Sequence, residues 1–276
     1  MSEPSSIGAR AVPPVALTVA GSDSGGGAGI QADLKTFHAF GVYGTSAITA
    51  VTAQDTLGVK AIHPVPAELV AAQIIAVAND LRPAACKTGM LAGASIINAV
   101  SAALRETGVS PIVVDPVVAA ASGDPLLEDE AVATLREELL PLARLITPNL
   151  GEAEILTGRP VRTEGEMRTA AEALVGLGGA AVLVKGGHLE GDEVVDVFFD
   201  GERWREWRSP RLPTRGSHGT GCTLSAAVTA GLAMGHPLGE SVDRGIRFTR
   251  QAIRDGLDLG SGSGPLSHWV DIGSLR

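Results

Sequence analysis

The sequence predicts an α/β protein with a central, mostly parallel β-sheet, helices on both faces in three layers, and a small antiparallel hairpin at one edge. Two observations predict it. Short apolar runs rich in Val and Ile alternate with longer stretches of helical period along nearly the whole chain, the pattern of strands buried on both faces and joined by crossover helices. After Gly187 the pattern changes to "EVVDVFFDGERWREWRSPRL", two strand-like runs around an Asp-Gly pair, which suits a tight hairpin turn.

Taken in order, strands are expected at 15–21 (VALTVAG), 46–53 (SAITAVTA), 85–89 (ACKTG), 111–116 (PIVVDP), 144–149 (RLITPN) and 181–187 (AVLVKGG). Helices are expected between them, as at 66–81 and 95–107, and two more, near 220–234 and 239–257, close the fold. No repeat, low-complexity linker or break in composition divides the chain, so 15–276 is expected to be a single domain. The first 14 residues, "MSEPSSIGARAVPP", lack the apolar centre of a signal peptide and are expected to be a disordered leader.

Composition narrows the function. A formal net charge of −9 argues against nucleic acid or an anionic membrane as the main partner, while leaving room for a locally positive pocket. The two cysteines, Cys86 and Cys222, form no CxxC pair, and the six histidines are scattered. Neither a disulfide framework nor a structural metal is indicated. With no apolar run of the roughly 18 residues a membrane helix needs, a cytoplasmic protein acting on small molecules is expected.

In open parallel sheets, ligands sit beyond the carboxyl ends of the strands. Those ends carry "GSDSGGGAG", "AQDT", "KTGML", "DPVVAAASGD", "TPNLGEAE", "KGGH" and, after the hairpin, "SHGTGC". The first contains Gly27, Gly29 and Ala32, which loosely fit the GxGxxA dinucleotide fingerprint, with Asp55 as a candidate ribose acid. It is also compatible with a plain turn before a helix. The preferred reading is a loop whose bare backbone closes over a small flat substrate, with Asp23 as a polar anchor. None of the four lysines (Lys35, Lys60, Lys87, Lys185) stands in Walker spacing, so a nucleotide must be held in another way.

"HGTGCTLSAAV" supplies one. Gly219, Thr220, Gly221 and Cys222 place successive N–H groups at a helix start, where unsatisfied donors and the positive end of the dipole hold an anion. Cys86, inside a strand, reads as a small buried hydrophobe. Cys222 is expected to be functional, with its thiol acidified by the helix start and aimed at the ligand. Asn149 and Glu152, three apart at another helix start, suit either Mg²⁺ bound partly through water or a capping box, and the two are compatible. Asp115 closes a buried strand before Pro116, as a site residue or a cap. Lys185, at the end of an apolar strand, must reach the rim or meet a partner; a phosphate is the favoured partner.

These stretches, with "GVYGTSAITAVTAQDT" and the tail "GSGPLSH", resemble the ribokinase-like superfamily, and within it the vitamin B1 and B6 kinases, the hydroxymethylpyrimidine/phosphomethylpyrimidine kinases of thiamine biosynthesis most of all. The resemblance runs from about Val15 to His268. It implies a ribokinase-like fold, a homodimer, and ATP with Mg²⁺ as phosphoryl donor to a pyrimidine alcohol and then to its monophosphate. It further implies that Asp23 and Gln54 meet the pyrimidine's polar edge, with Gly21, Met90 and Val117 lining the pocket. Asp115, Asn149, Glu152 and Lys185 would manage Mg²⁺ and the phosphates, with Asp115 and Glu152 toward the metal. Gly219 to Cys222 would form the anion hole, and Cys222 the base that most superfamily members supply as aspartate. Two positions depart from the family pattern. Asp55 stands where asparagine is usual, and Ser24 replaces a proline, which is expected to loosen the first loop.

Pyridoxal kinase, on the same scaffold, is the second enzymatic reading. A catalytically silent ligand-binding or regulatory domain is the alternative from another class, disfavoured by the presence of Asp115, Glu152, Lys185 and Cys222 together. A nicotinamide dehydrogenase is the third reading.

Overall fold

The computed structural model describes residues 12–118, 127–214, 216 and 218–274. Most of the leader, the "AAASGDPL" stretch at 119–126 and Ser217 of "SHGTGC" lie outside the described residues. Nine strands form one sheet: β1 (Val15–Asp23), β2 (Tyr43–Asp55), β3 (Gly58–Pro64), β4 (Ala85–Thr88), β5 (Ile112–Val114), β6 (Leu145–Ile146), β7 (Val182–Val184), β8 (Glu193–Phe199) and β9 (Trp204–Pro210). Their order across the sheet is β3-β2-β1-β4-β5-β6-β7-β8-β9. The pairs from β2 through β7 are parallel, and β2–β3, β7–β8 and β8–β9 are antiparallel.

The expected hairpin is therefore present as β8–β9, and a second one closes the opposite edge. The sequence reading missed it: β3, "GVKAIHP", lies half-exposed to exposed along its length, so it carries no apolar run to betray it. Its signal was Gly58, at φ +141, where the chain reverses. Asp55 belongs to this turn. Its carboxylate accepts from Leu57 N–H and pairs with Lys60, so it serves the hairpin and is not a free ribose acid.

Helices cover both faces. On one side lie α1 (Gly29–Ala39), α7 (Thr220–Ala233) and α8 (Leu238–Arg254), packed through Phe37, Phe40, Ala226, Ala230 and Phe248. On the other lie α2 (Ala67–Leu81), α3 (Ala94–Thr107), α4 (Asp129–Thr134, continued by irregular turns to Leu142), α5 (Leu150–Thr157) and α6 (Glu164–Gly176). They share a core with Leu17, Ile74, Ile97, Val114, Ile146, Leu156 and Leu174. Burying each such side chain contributes about 1.5–3 kcal/mol. Ala226, Ala227 and Ala230 in α7 are fully buried, and their size is what lets that helix lie close to the strands.

The order β2-β1-β4 makes β1 a switch point: the chain leaves it to one side through α1 and returns on the other side as β4. A crevice opens at the carboxyl ends of two such strands because the loops above them diverge.

Candidate active site

The glycine loop leaves β1 at this crevice. Asp23, buried at the strand's end, accepts N–H bonds from Gly25 (2.8 Å), Gly27 (3.0 Å) and Ala28 (2.8 Å). His218 Nε2 lies 2.9 Å from the same carboxylate. Burial pushes the Asp23 carboxyl up, but the His218 contact and the loop amides outweigh it and hold it below the usual range. The anchor expected for a substrate edge is thus engaged in shaping the loop. Ser24 corrects a second expectation. Its hydroxyl donates to Gln54 O at 2.7 Å and accepts Gln54 N–H at 2.8 Å, tying the loop to β2 where loosening was expected. The Gln54 amide lies 3.3 Å from His218 Nε2. Gly21 and Met90 meet closely: a Cβ on Gly21 would sit 2.6 Å from Met90 Cε.

The second wall is the start of α7. Gly219, its N-cap, has φ +87 and is pressed so closely on the first loop that a Cβ there would lie 1.8 Å from Gly27 O. Both the left-handed backbone and the contact require glycine. Gly219→Ala is expected to lower the melting temperature by several degrees and to cut turnover of any substrate bound between the loops by at least about tenfold, measured by thermal melt and steady-state kinetics. Wild-type turnover in a folded variant would show that the two loops need not touch.

The third element is a charged group at the ends of β5, β6 and β7. Lys185 Nζ donates to Asp115 Oδ1 at 2.9 Å and lies 3.8 Å from Glu152 Oε2. Asp115 also accepts from Thr147 Oγ1 (3.1 Å) and Ser225 Oγ (3.3 Å). Burial raises the Asp115 carboxyl, but Lys185 and Lys87 overcome it and hold it below the usual range. Glu152, buried beside Asp115, is pushed up to about 7 despite Lys185. Lys185 thus reaches the rim, 13% exposed, and meets partners there: it bridges two carboxylates. A Cβ on Gly221 would lie 3.0 Å from its Nζ and 3.5 Å from Asp115 Oδ2, so the group sits directly under the first turn of α7. Asn149 and Glu152 complete a reciprocal capping box, Asn149 N–H to Glu152 Oε2 at 2.7 Å and Glu152 N–H to Asn149 Oδ1 at 2.9 Å. Val117 follows Asp115 around Pro116, its N–H bonded to Asp115 O at 2.9 Å.

Cys222 overturns one expectation outright. Burial pushes its thiol up to about 11, with Lys87 pulling the other way and Asp33 and Asp115 adding to the rise. Cys222 is half-buried at the start of α7; the Gly29 N–H at the start of α1 lowers the thiol, and desolvation outweighs it. Cys86, fully buried in β4, behaves as the small hydrophobe expected.

Three features escaped the sequence reading. One is the ion pair of Lys87 and Asp33, both fully buried. A lysine inside an apolar strand run demanded a partner, and that was the available signal. The second is His218, which a Cβ on Gly27 would meet at 2.4 Å. The third is the tail, which straps both loops: His218 bridges to Pro265, Ser263 N–H donates to Thr56 O at 2.9 Å, and Leu257 N–H donates to Pro265 O at 3.0 Å. His268, in this tail, lies 3.0 Å from Thr223 Oγ1 in α7.

Burial, with Lys35 nearby, lowers the His268 imidazole to about 4. A histidine kept neutral by the fold contributes stability that is complete above its unfolded value near 6.5 and is lost as pH falls toward the folded one. His268→Gln is therefore expected to lose about 2 kcal/mol less than the wild type between pH 7 and pH 5, read by urea unfolding at both values. Parallel losses would remove His268 from the acid response.

Among the described residues no group of three or more His, Cys, Asp or Glu is arranged to hold a metal, and no helix is long and apolar enough to cross a membrane. Two buried carboxylates beside a lysine nevertheless fit Mg²⁺, which keeps several waters and takes its other oxygens from bound phosphates.

Comparison with known proteins gives a consistent result. A family model described as phosphomethylpyrimidine kinase matches residues 23–267. The hydroxymethylpyrimidine/phosphomethylpyrimidine kinase of Rhizobium meliloti is 54% identical over 258 residues, covering 92% of this chain and 97% of the relative. Among solved structures, an ADP complex of Bacillus subtilis pyridoxal kinase superposes with a TM-score of 0.87 at 39% identity, over 93% of this chain and 98% of that one. The phosphomethylpyrimidine kinase of Clostridium difficile superposes at 0.78 and 42% identity, over 87% and 99%.

Proposed function

Because the chain belongs to the phosphomethylpyrimidine kinase family, we propose that it transfers phosphoryl groups from ATP to 4-amino-5-hydroxymethyl-2-methylpyrimidine and then to the resulting monophosphate, in the synthesis of vitamin B1. The observation that carries this reading is the placement of Lys185, Asp115 and Glu152 beneath the first turn of α7, against the loop from Gly21 to Ala28. One wall offers charge and amides to a phosphate, and the other offers a bare backbone to a flat ring.

Phosphoryl transfer passes through a loose transition state, so alignment and charge neutralisation carry most of the catalysis. Bound with ATP, Mg²⁺ would neutralise phosphate charge, and Asp115 and Glu152 are the residues that would hold it. Lys185 releases part of its bond to Asp115 to meet the transferring group, and the amides of Gly221 and Cys222 take up charge on its oxygens. Asn149 keeps Glu152 oriented through the capping box. Asp23 holds the glycine loop closed beside Gln54, Met90, Gly21 and Val117, which line the pyrimidine's place. In the first step the hydroxymethyl oxygen attacks the γ-phosphorus, the bond to ADP breaks, and Cys222 in its thiolate form accepts the hydroxyl proton. In the second step the attacking phosphate oxygen is already ionised at neutral pH.

The high structural similarity to a pyridoxal kinase keeps pyridoxal as the second reading, and one assay separates the two. Hydroxymethylpyrimidine, its monophosphate and pyridoxal are offered separately with Mg-ATP, and ADP is followed. Turnover of both pyrimidines is expected; ADP formation with pyridoxal alone would replace this function with the second.

A further inference from the structure

His218, just before α7, and Gln54, near the end of β2, meet beside the first loop. Their hydrogens can be placed by elimination. Asp23 accepts N–H bonds from Gly25, Gly27 and Ala28 and, burial notwithstanding, is held below the usual carboxyl range. At neutral pH it is a carboxylate, which accepts and cannot donate. His218 Nε2, 2.9 Å from Asp23 Oδ2, therefore carries a hydrogen and gives it to that oxygen, whether the ring is neutral or charged. A nitrogen so committed has no lone pair for Gln54. On the other side of Gln54, the Thr52 hydroxyl donates to Ser22 O at 2.8 Å, so its oxygen has only lone pairs to offer.

These two neighbours decide which end of the Gln54 amide lies where. Gln54 Nε2 stands 3.3 Å from His218 Nε2, and Oε1 stands 3.2 Å from Thr52 Oγ1. That sets N–H against N–H at His218 and oxygen against a spent hydroxyl at Thr52. The two ends of a primary amide have nearly the same shape and are told apart by their partners. Exchanging them answers both mismatches at once: the carbonyl oxygen shares the His218 N–H, and the NH2 donates to Thr52 Oγ1. The histidine is itself fixed, by Asp23, by close packing on Gly27 and by its main-chain bridge to Pro265.

We propose that His218 is a positioning residue that locks the Gln54 carbonyl toward the substrate's amino group, and so sets which way the ring lies and selects aminopyrimidine over pyridoxal. The inference rests on the proposed function, in which Gln54 lines the pyrimidine's place. In the aminopyrimidine the 4-amino group donates, N3 accepts, and the 5-hydroxymethyl group stands on the side of the amino group away from N3. An amide grips such an edge by accepting from the amino group and donating to the ring nitrogen, as it does with adenine. With the carbonyl turned to His218, the amino group lies on that side and the alcohol beyond it, toward Gly219 and the start of α7. With the amide reversed, the ring turns over and the alcohol points away from the phosphate wall. In pyridoxal the group beside the reacting hydroxymethyl is an aldehyde, which cannot donate to the carbonyl.

The test compares hydroxymethylpyrimidine with its analogue lacking the 4-amino group. A histidine that only held the loops together would, when replaced, slow both substrates alike. His218→Leu is expected instead to lower kcat/KM about tenfold more for hydroxymethylpyrimidine than for the analogue, the effect of one hydrogen bond left unmade. The preference over pyridoxal should narrow by a similar factor. His218→Gln, whose amide N–H can stand in for the imidazole Nε2–H, should recover most of both. In a Gln54→Leu background, His218→Leu should change the discrimination less than about twofold, because the two side chains act as one unit.

Equal losses for the two substrates, or a full loss of discrimination that persists in the Gln54→Leu background, overturn the inference. If His218→Leu does not fold, His218→Phe fills the ring's place against Gly27 without a donor, and the same outcomes apply. Nitrogen NMR of histidine-labelled wild type, with the His218 signal identified by its absence in His218→Gln, should show Nε2 bearing hydrogen at pH 8. A bare Nε2 there overturns the inference with no substrate present. Failure of the wild type to phosphorylate either pyrimidine counts instead against the proposed function.

Discussion

Lys185→Met is expected to slow both phosphorylations by about 10²- to 10³-fold, the usual loss when a preorganised group facing developing charge is removed. The lysine is fixed by Asp115 at 2.9 Å under the first turn of α7, where the proposed transfer takes place in either step. The methionine variant also leaves Asp115 buried without its cation, a change that costs up to about 3–5 kcal/mol when nothing compensates. Glu152, raised to about 7, can relieve part of that by binding a proton. The melting temperature should therefore fall while the protein stays folded. Lys185→Arg separates charge from geometry: it should recover stability more fully than turnover, because a planar fork cannot reproduce one ammonium between two carboxylates. Rates for both pyrimidines within tenfold of wild type in Lys185→Met would mean that phosphate charge is met elsewhere.

Cys222→Ala should depress the hydroxymethylpyrimidine step by about 10²-fold or more, the common range for loss of a positioned base, and the monophosphate step by less than about fivefold, because an ionised phosphate oxygen needs no base. The raised thiol gives this prediction a pH signature. With the thiol at about 11, the thiolate fraction grows about tenfold per unit of pH below that value. In the wild type the first step should climb from pH 7 to pH 10 while the second stays nearly level. In Cys222→Ala the climb should vanish. Equal losses in both steps, or a climb that survives the substitution, would make the sulfur a packing atom.

Period and apolar runs placed the long elements well: α2, expected at 66–81, spans Ala67–Leu81, and α7, expected at 220–234, spans Thr220–Ala233. They failed on β3, whose exposed side chains carry no pattern, and ran long on β6, reduced to Leu145–Ile146 because Pro148 has no N–H to extend the ladder, although Asn149 still bridges to Lys185. The strand-end residues were legible because topology alone gathers them. Asp115, Glu152 and Lys185 could be named without knowing that they bond to one another. Partnerships across the sheet were not legible. Nothing in "ACKT" or "IQADLK" points one to the other, so the Lys87–Asp33 pair, and with it the environment of Cys222, became visible only in three dimensions. The thiol's acidity was misjudged for the same reason: a helix start is readable in sequence, but the desolvation that outweighs it is not.

The tail that straps the two loops has a consequence for the order of synthesis. The substrate loop is made with the first strand, yet its contacts to His218 and Pro265 come from residues translated some two hundred positions later. A nascent chain can pair β1 through β7 and bury most of its core while Asp23 still has only its own loop amides to hold. The first turn of α7 with its thiol, and then the strap, arrive last, after Asp115, Glu152 and Lys185. A chain that ends before α7 thus lacks both the wall from Gly219 to Cys222 and the strap that closes on the first loop.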